Sequence, residues 1–167
     1  MTVHTRQFVR SARSVGRARD FVADRVGDAV CADRADDIRL CVSELATNAL
    51  LHGTPRGRQF RVHVTIEDDA VRIEVHDASD APPYVRDPAD TDDYGRGLQL
   101  VAALADEWGT SDRTGPGKAV WASFKATAPA FSHPFTTTAY RARQARGEDA
   151  GIPHDEAYRR VFGGAEA

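Results

Sequence analysis

The segment from Phe60 to His76 constrains the fold most. It alternates polar and apolar residues as RVHVTIE up to Glu67, and alternates again from Val71 to His76. A period of two marks a strand with one buried face. The Asp68-Asp69 pair between the runs is a tight connection, so the two strands form a hairpin. A lone hairpin does not keep its apolar face from water. Two upstream segments have the period to cover it. Ser14 to Ala29 repeats Val15, Ala18, Val22, Val26 and Ala29 at helical spacing. Asp33 to His52 repeats Ile38, Val42, Leu45 and Ala49, and Gly53 supplies a C-terminal stop.

The remaining elements complete the architecture. Thr5 to Val9 reads as a short edge strand and Leu98 to Ala105 as a short helix. Trp108–Thr110 and Ala119–Phe124 read as strands joined by a Gly-Pro-Gly turn. This order predicts an α+β two-layer sandwich, with helices packed on one face of a mostly antiparallel sheet. With 167 residues, 41% of them hydrophobic and 28% charged, the chain can fill one core with some excess. The excess lies at the end. A domain over 3–127 is expected, followed by a C-terminal extension over 128–167. That extension is interrupted by Pro129, Pro134 and Pro153, with short helices expected at Tyr140–Gly147 and Asp155–Phe162. A net charge of -3 argues against direct nucleic-acid binding. Cys31 and Cys41 lack metal or redox spacing and are expected reduced, in or near the core. The absence of an apolar N-terminal region or long apolar run predicts no membrane span and a cytoplasmic location.

Four stretches carry candidate chemistry. In SELATNALLHG, Glu44, Asn48 and His52 are spaced four apart, which places them in one stripe on a helix. A solvated polar face is the ordinary explanation. Asn48, however, is an indifferent mid-helix residue whose amide oxygen can ligate Mg²⁺. A Glu one turn away can act as a general base beside a metal-bound phosphate. His52 suits the helix C-terminus, where a cation is favoured. In VHDASDAPP, Asp77 ends a strand, where it can accept from a buried amine or start an Asx-turn. In YGRGLQLV, Gly95 and Gly97 precede a helix whose exposed amides suit phosphates. In GPGKAVWASF, Lys118 could reach a phosphate or a partner, but a solvated turn lysine is the ordinary expectation.

Together, over roughly Val3 to Phe124, these stretches resemble the GHKL (Bergerat-fold) ATP-binding domain of the histidine kinase-like ATPase superfamily. The resemblance is nearest to the anti-sigma-factor serine kinases of actinobacterial type. It implies the Bergerat two-layer fold, with ATP and Mg²⁺ as cofactors. Glu44 would stand at the general-base position and Asn48 at the magnesium position. Asp77 would hold the adenine amine. His52, Ser79, Ala81, Gly95, Arg96, Gly97 and Leu98 would border the nucleotide. Ser79 and Ala81 stand where the family's first glycine box, DxGxG, has glycines. The segment from Tyr84 to Gly97 would be a lid. The implied activity is transfer of the ATP γ-phosphoryl group to a serine or threonine of an antagonist protein. The implied partners are a sigma factor, an anti-anti-sigma-type antagonist, or both, and a homodimer is compatible with the resemblance. The alternative is a nucleotide-binding interaction module without transfer activity.

Overall fold

The computed structural model describes residues 1–81, 97–113 and 115–126. The chain runs β1 (Thr2–Val9), α1 (Arg13–Val26), α2 (Ala32–Asn48), β2 (Gln59–Ile66), β3 (Ala70–His76), α3 (Gly97–Leu104), β4 (Glu107–Asp112) and β5 (Lys118–Lys125). A 3₁₀ turn, Gly27–Ala29, follows α1, and a π-helical turn, Ala49–Gly53, follows α2. The five strands form one antiparallel sheet in the order β1-β2-β3-β5-β4. The predicted hairpin is its centre: Val62 faces Val75 and Val64 faces Ile73 across β2 and β3.

The helices cover one face of the sheet. The expected stripes are inward: Val15, Ala18, Val22 and Val26 of α1, and Ile38, Val42 and Leu45 of α2, are all buried. They meet Phe60, Val62 and Val64 from β2, Val71, Ile73 and Val75 from β3, and Val120, Ala122 and Phe124 from β5. Each such side chain contributes about 1.5–3 kcal/mol by leaving water. The Phe8 ring stacks on Phe60 at 5.4 Å and closes the β1 end of this core.

Several expectations needed correction. Ala29 is exposed, because α1 stops at Val26 and the 3₁₀ turn hands the buried position to Val30. Cys31 is exposed beside the start of α2, whereas Cys41 is buried. The first strand starts at Thr2 and pairs along its whole length with β2. The expected lid, Gly95, Arg96 and the C-terminal extension lie outside the described residues, apart from Gly97 at the lid's end.

The other face of the sheet is not covered by these helices. It carries Arg61, His63, Arg72, Glu74, His76 and Trp121, the outward members of each alternation. The Arg72 guanidinium lies 3.8 Å from the Trp121 ring.

Candidate functional site

The helical stripe breaks after Asn48. Asn48 is the last residue of α2, and the chain then widens into the π-helical turn Ala49–Gly53. Such turns interrupt a helix at a cost and recur at functional positions. Glu44 and Asn48 remain one turn apart on α2, both partly buried. His52 is exposed; it lines a separate cleft of about 420 Å³ with Arg10, Thr54, Arg56, Ala78 and Ser79. Glu44 and Asn48 do not line that cleft. Residues 82–96, most of the expected lid, lie outside the described residues.

Glu44 faces the start of α3. A Cβ placed on Gly97 would overlap the Glu44 carboxylate, so glycine there permits the approach. Leu98, the next residue, buries its side chain in the core, which leaves only its backbone available to a ligand. Burial raises the Glu44 carboxyl to about 7. A carboxyl that is half-protonated near neutrality is matched to taking a proton at that pH.

The same shift predicts a pH dependence. The folded value lies above the unfolded one, so the folded chain holds a proton that the unfolded chain has released. Stability should therefore fall as pH rises from about 4.5 to about 7, and level off above. Glu44→Gln should remove this component and gain about 1–3 kcal/mol over the parent at pH 8. Urea unfolding of both nucleotide-free proteins at several pH values isolates the term as a difference. A gap that does not change with pH would show that Glu44 is not held protonated.

Asp77 sits just beyond β3, on the helix side, and is 3% exposed. Two glycines make room for it. A Cβ on Gly53 would overlap the Asp77 carboxylate, and one on Gly117 would overlap its carbonyl oxygen. Gly53 has no positive φ, so its role here is close approach rather than a left-handed stop. Gly117 has φ +104° and meets both demands. Backbone bonds fix the junction: the Ala78 amide donates to Gly53 O at 2.9 Å and the Asp77 amide to Lys118 O at 3.0 Å. The π-helical turn, the end of β3 and the start of β5 thus form one block.

The Asp77 carboxylate is already bonded. Oδ1 accepts the Ser79 amide at 2.9 Å, an Asx-turn bond, and the Lys118 ammonium at 3.1 Å. Oδ2 lies 3.0 Å from Lys118 Nζ. Lys118 also donates to Ser79 O at 3.2 Å. It is not the solvated turn residue expected, because antiparallel pairing of β3 and β5 sets it beside Asp77. Arg113 Nη1 donates to Asp77 O at 2.7 Å, a contact the sequence reading missed. Asp80 Oδ1 accepts the Gly117 amide at 2.6 Å. Ala81 is exposed, and its amide reaches Ser79 Oγ at 3.3 Å.

A family model described as a histidine kinase-like ATPase domain matches residues 8–124. The chain belongs to the histidine kinase-like ATPase domain family. That match runs from β1 through β5 and takes in every site element described above. No curated protein matches in a sequence search. The ATPase domain is an ATP-binding fold, and the donors present fit that ligand. A carboxylate offers about four lone-pair sites. The Ser79 amide and Lys118 occupy three on Asp77, which leaves one on Oδ2 for an amine. Asn48 would hold Mg²⁺ through its amide oxygen, and the metal would supply charge neutralisation at the phosphates. No helix among the described residues of the ATPase domain is long and apolar enough to cross a membrane.

Proposed function

We propose that the domain is a regulatory kinase of the anti-sigma-factor type. It would transfer the γ-phosphoryl group of ATP to a serine or threonine of an antagonist protein and thereby control a sigma factor. The observation that carries this reading is Glu44. Its carboxyl is buried, raised to about 7, and set against Gly97 at the first turn of α3. A carboxyl poised near neutrality suits a general base, and its place against α3 puts it beside the proposed phosphate contacts. Glu44 would take the hydroxyl proton, Asn48 would hold Mg²⁺, and the amides at the start of α3 would offset charge on the phosphates. Ser79 and Ala81 border the adenine side.

A second reading has its own support. The Asp77 carboxylate is shared with Lys118, so the base-reading acceptor is partly spent in this conformation. A nucleotide-gated module that grips a partner without phosphorylating it would tolerate that better than a turnover enzyme.

The experiment has two arms. Calorimetry with Mg-ATP should show binding, little binding of GTP, and a loss of about 1–3 kcal/mol in Asp77→Asn, where a charged acceptor becomes an amide. Equal ATP affinity in mutant and parent would remove Asp77 from the site. Labelled ATP with candidate antagonists should then show transfer. Antagonists that bind without being phosphorylated would favour the gated module.

A further inference from the structure

The face of the sheet turned away from the described helices, its open face among the described residues, carries a cluster that the nucleotide site does not use. His63 and Glu74 are direct partners across β2 and β3. His76 lies two residues beyond Glu74 and so on the same face. The His63 and His76 rings stack at 4.4 Å with an interplanar angle of 21°. Glu74 is held from both sides: Oε1 accepts Arg72 Nε at 2.8 Å, and Oε2 lies 3.0 Å from His76 Nε2.

One atom in this network has no partner. His63 Nε2 is buried and makes no hydrogen bond. An unsatisfied buried polar atom costs about 1–3 kcal/mol. If the cluster were only an ion-pair network, Arg72, Glu74 and His76 would complete it and His63 would add nothing but that cost. Two imidazoles and a carboxylate are instead the donor set of a zinc site with an open position. One donor atom from each of the three residues lies within 4.8 Å of the others.

We propose that His63, Glu74 and His76 bind a transition-metal dication, Zn²⁺ foremost, on the open face of the sheet. Donors around a tetrahedral Zn²⁺ at about 2.0–2.1 Å from the ion lie roughly 3.3–3.4 Å from one another, so His76 Nε2 and Glu74 Oε2, now 3.0 Å apart, must part slightly while the His63 nitrogen, within 4.8 Å of them, shifts to match. Rotation of the stacked rings about their χ angles provides that movement without shifting the strands. The ion takes the place of the proton between His76 Nε2 and Glu74 Oε2, and that proton leaves to solvent. Arg72 stays on Oε1 and orients the carboxylate, as outer partners of metal ligands do. Arg61 and Arg113 also lie close enough to His63 to act on it electrostatically, and their positive charge moderates the affinity. Three protein ligands leave a fourth position for water. The site is separate from the nucleotide: His76 points to the open face, and its neighbour Asp77 to the helix side.

The test uses the full chain without nucleotide. Zn²⁺ should bind one to one in competition with a chromophoric chelator. Co²⁺ should give the visible bands of a tetrahedral nitrogen and oxygen site. His63→Gln and His76→Gln should each weaken Zn²⁺ binding by roughly tenfold to a hundredfold or more, whereas Cys31→Ser should not. Mg-ATP affinity should be the same in parent and histidine variants, which also reports that the variants fold. Should a variant fail to fold, the imidazole resonances of His63 and His76 in the parent decide, because bound Zn²⁺ must shift both. The proposal is overturned if the parent takes up no Zn²⁺, if folded variants of both histidines bind it as tightly as the parent, or if Zn²⁺ leaves those resonances in place.

Discussion

Replacing Glu44 by alanine should slow phosphoryl transfer to a protein substrate by roughly 10²–10⁴-fold while leaving Mg-ATP affinity within a few-fold. The split follows from where the carboxylate acts. A general base contributes to the transition state, when the hydroxyl proton is moving, and little to the bound nucleotide. Asn48→Ala should behave otherwise: with Asn48 the proposed Mg²⁺ ligand, its loss should weaken Mg-ATP binding and turnover together. The two residues are one helical turn apart on α2, so the pair separates proton transfer from metal binding at nearly one place. The measurement is single-turnover transfer from labelled ATP to a cognate antagonist, alongside calorimetry. If Glu44→Ala transfers as fast as the parent, the base lies elsewhere and Glu44 is a packing residue.

Arg34→Met should destabilise the fold by about 3–5 kcal/mol, the usual cost of removing one member of a buried charge cluster. Arg34 is 2% exposed. Its guanidinium donates to Asp106 Oδ2 at 2.6 Å and to Leu104 O at 3.0 Å, and lies 3.5 Å from Asp37. It therefore ties the first turns of α2 to the end of α3 and the approach to β4. Removal leaves the buried Asp37 carboxylate without this cation. Arg34→Lys should restore only part of the loss, since an ammonium cannot span the same acceptors as a planar fork. Adding Asp37→Leu to Arg34→Met should also recover part, because the buried charge goes with its partner. Because the amides at the start of α3 are the proposed phosphate contacts, the variant should lose nucleotide affinity as well. Urea unfolding checks the first claim; a loss below about 1 kcal/mol would mean that water solvates the carboxylates that Arg34 leaves behind.

The layer architecture was legible because its signals are local. Alternation gave β2 and β3, and helical spacing gave the inward faces of α1 and α2. The pairing of Glu44 with Asn48 was legible for the same reason: spacing on one helix fixes it. What escaped depends on contacts between distant segments. Lys118 looked like a turn residue because nothing local says that β5 pairs with β3, which sets it on Asp77. Nothing in the local sequence singles out Arg34, yet acceptors 70 and 72 residues away bury it. The π-helical turn was invisible because ALLHG has an ordinary helical composition, and it takes His52 out of the stripe that regular spacing predicts. Gly53 was read as a stop, but its function is to admit the Asp77 carboxylate. That reason exists only once β3 has docked.

The register of the sheet also decides where the rest of the chain attaches. Thr2 pairs with Ile66 and Val71 with Phe124, so the first strand begins and the last strand finishes at the same edge. Asp77 and Lys118 stand at the opposite edge. Seven residues of β3 separate the two edges, about 20 Å at strand rise. Ala126 is anchored at the far edge, its amide donating to Asp69 O at 2.7 Å and its carbonyl accepting from Cys31 at 3.2 Å. Thr2 and Ala126 therefore share the end of the sheet away from Asp77 and Lys118, so one end carries both points where the chain meets the described fold and the other carries the block built around Asp77.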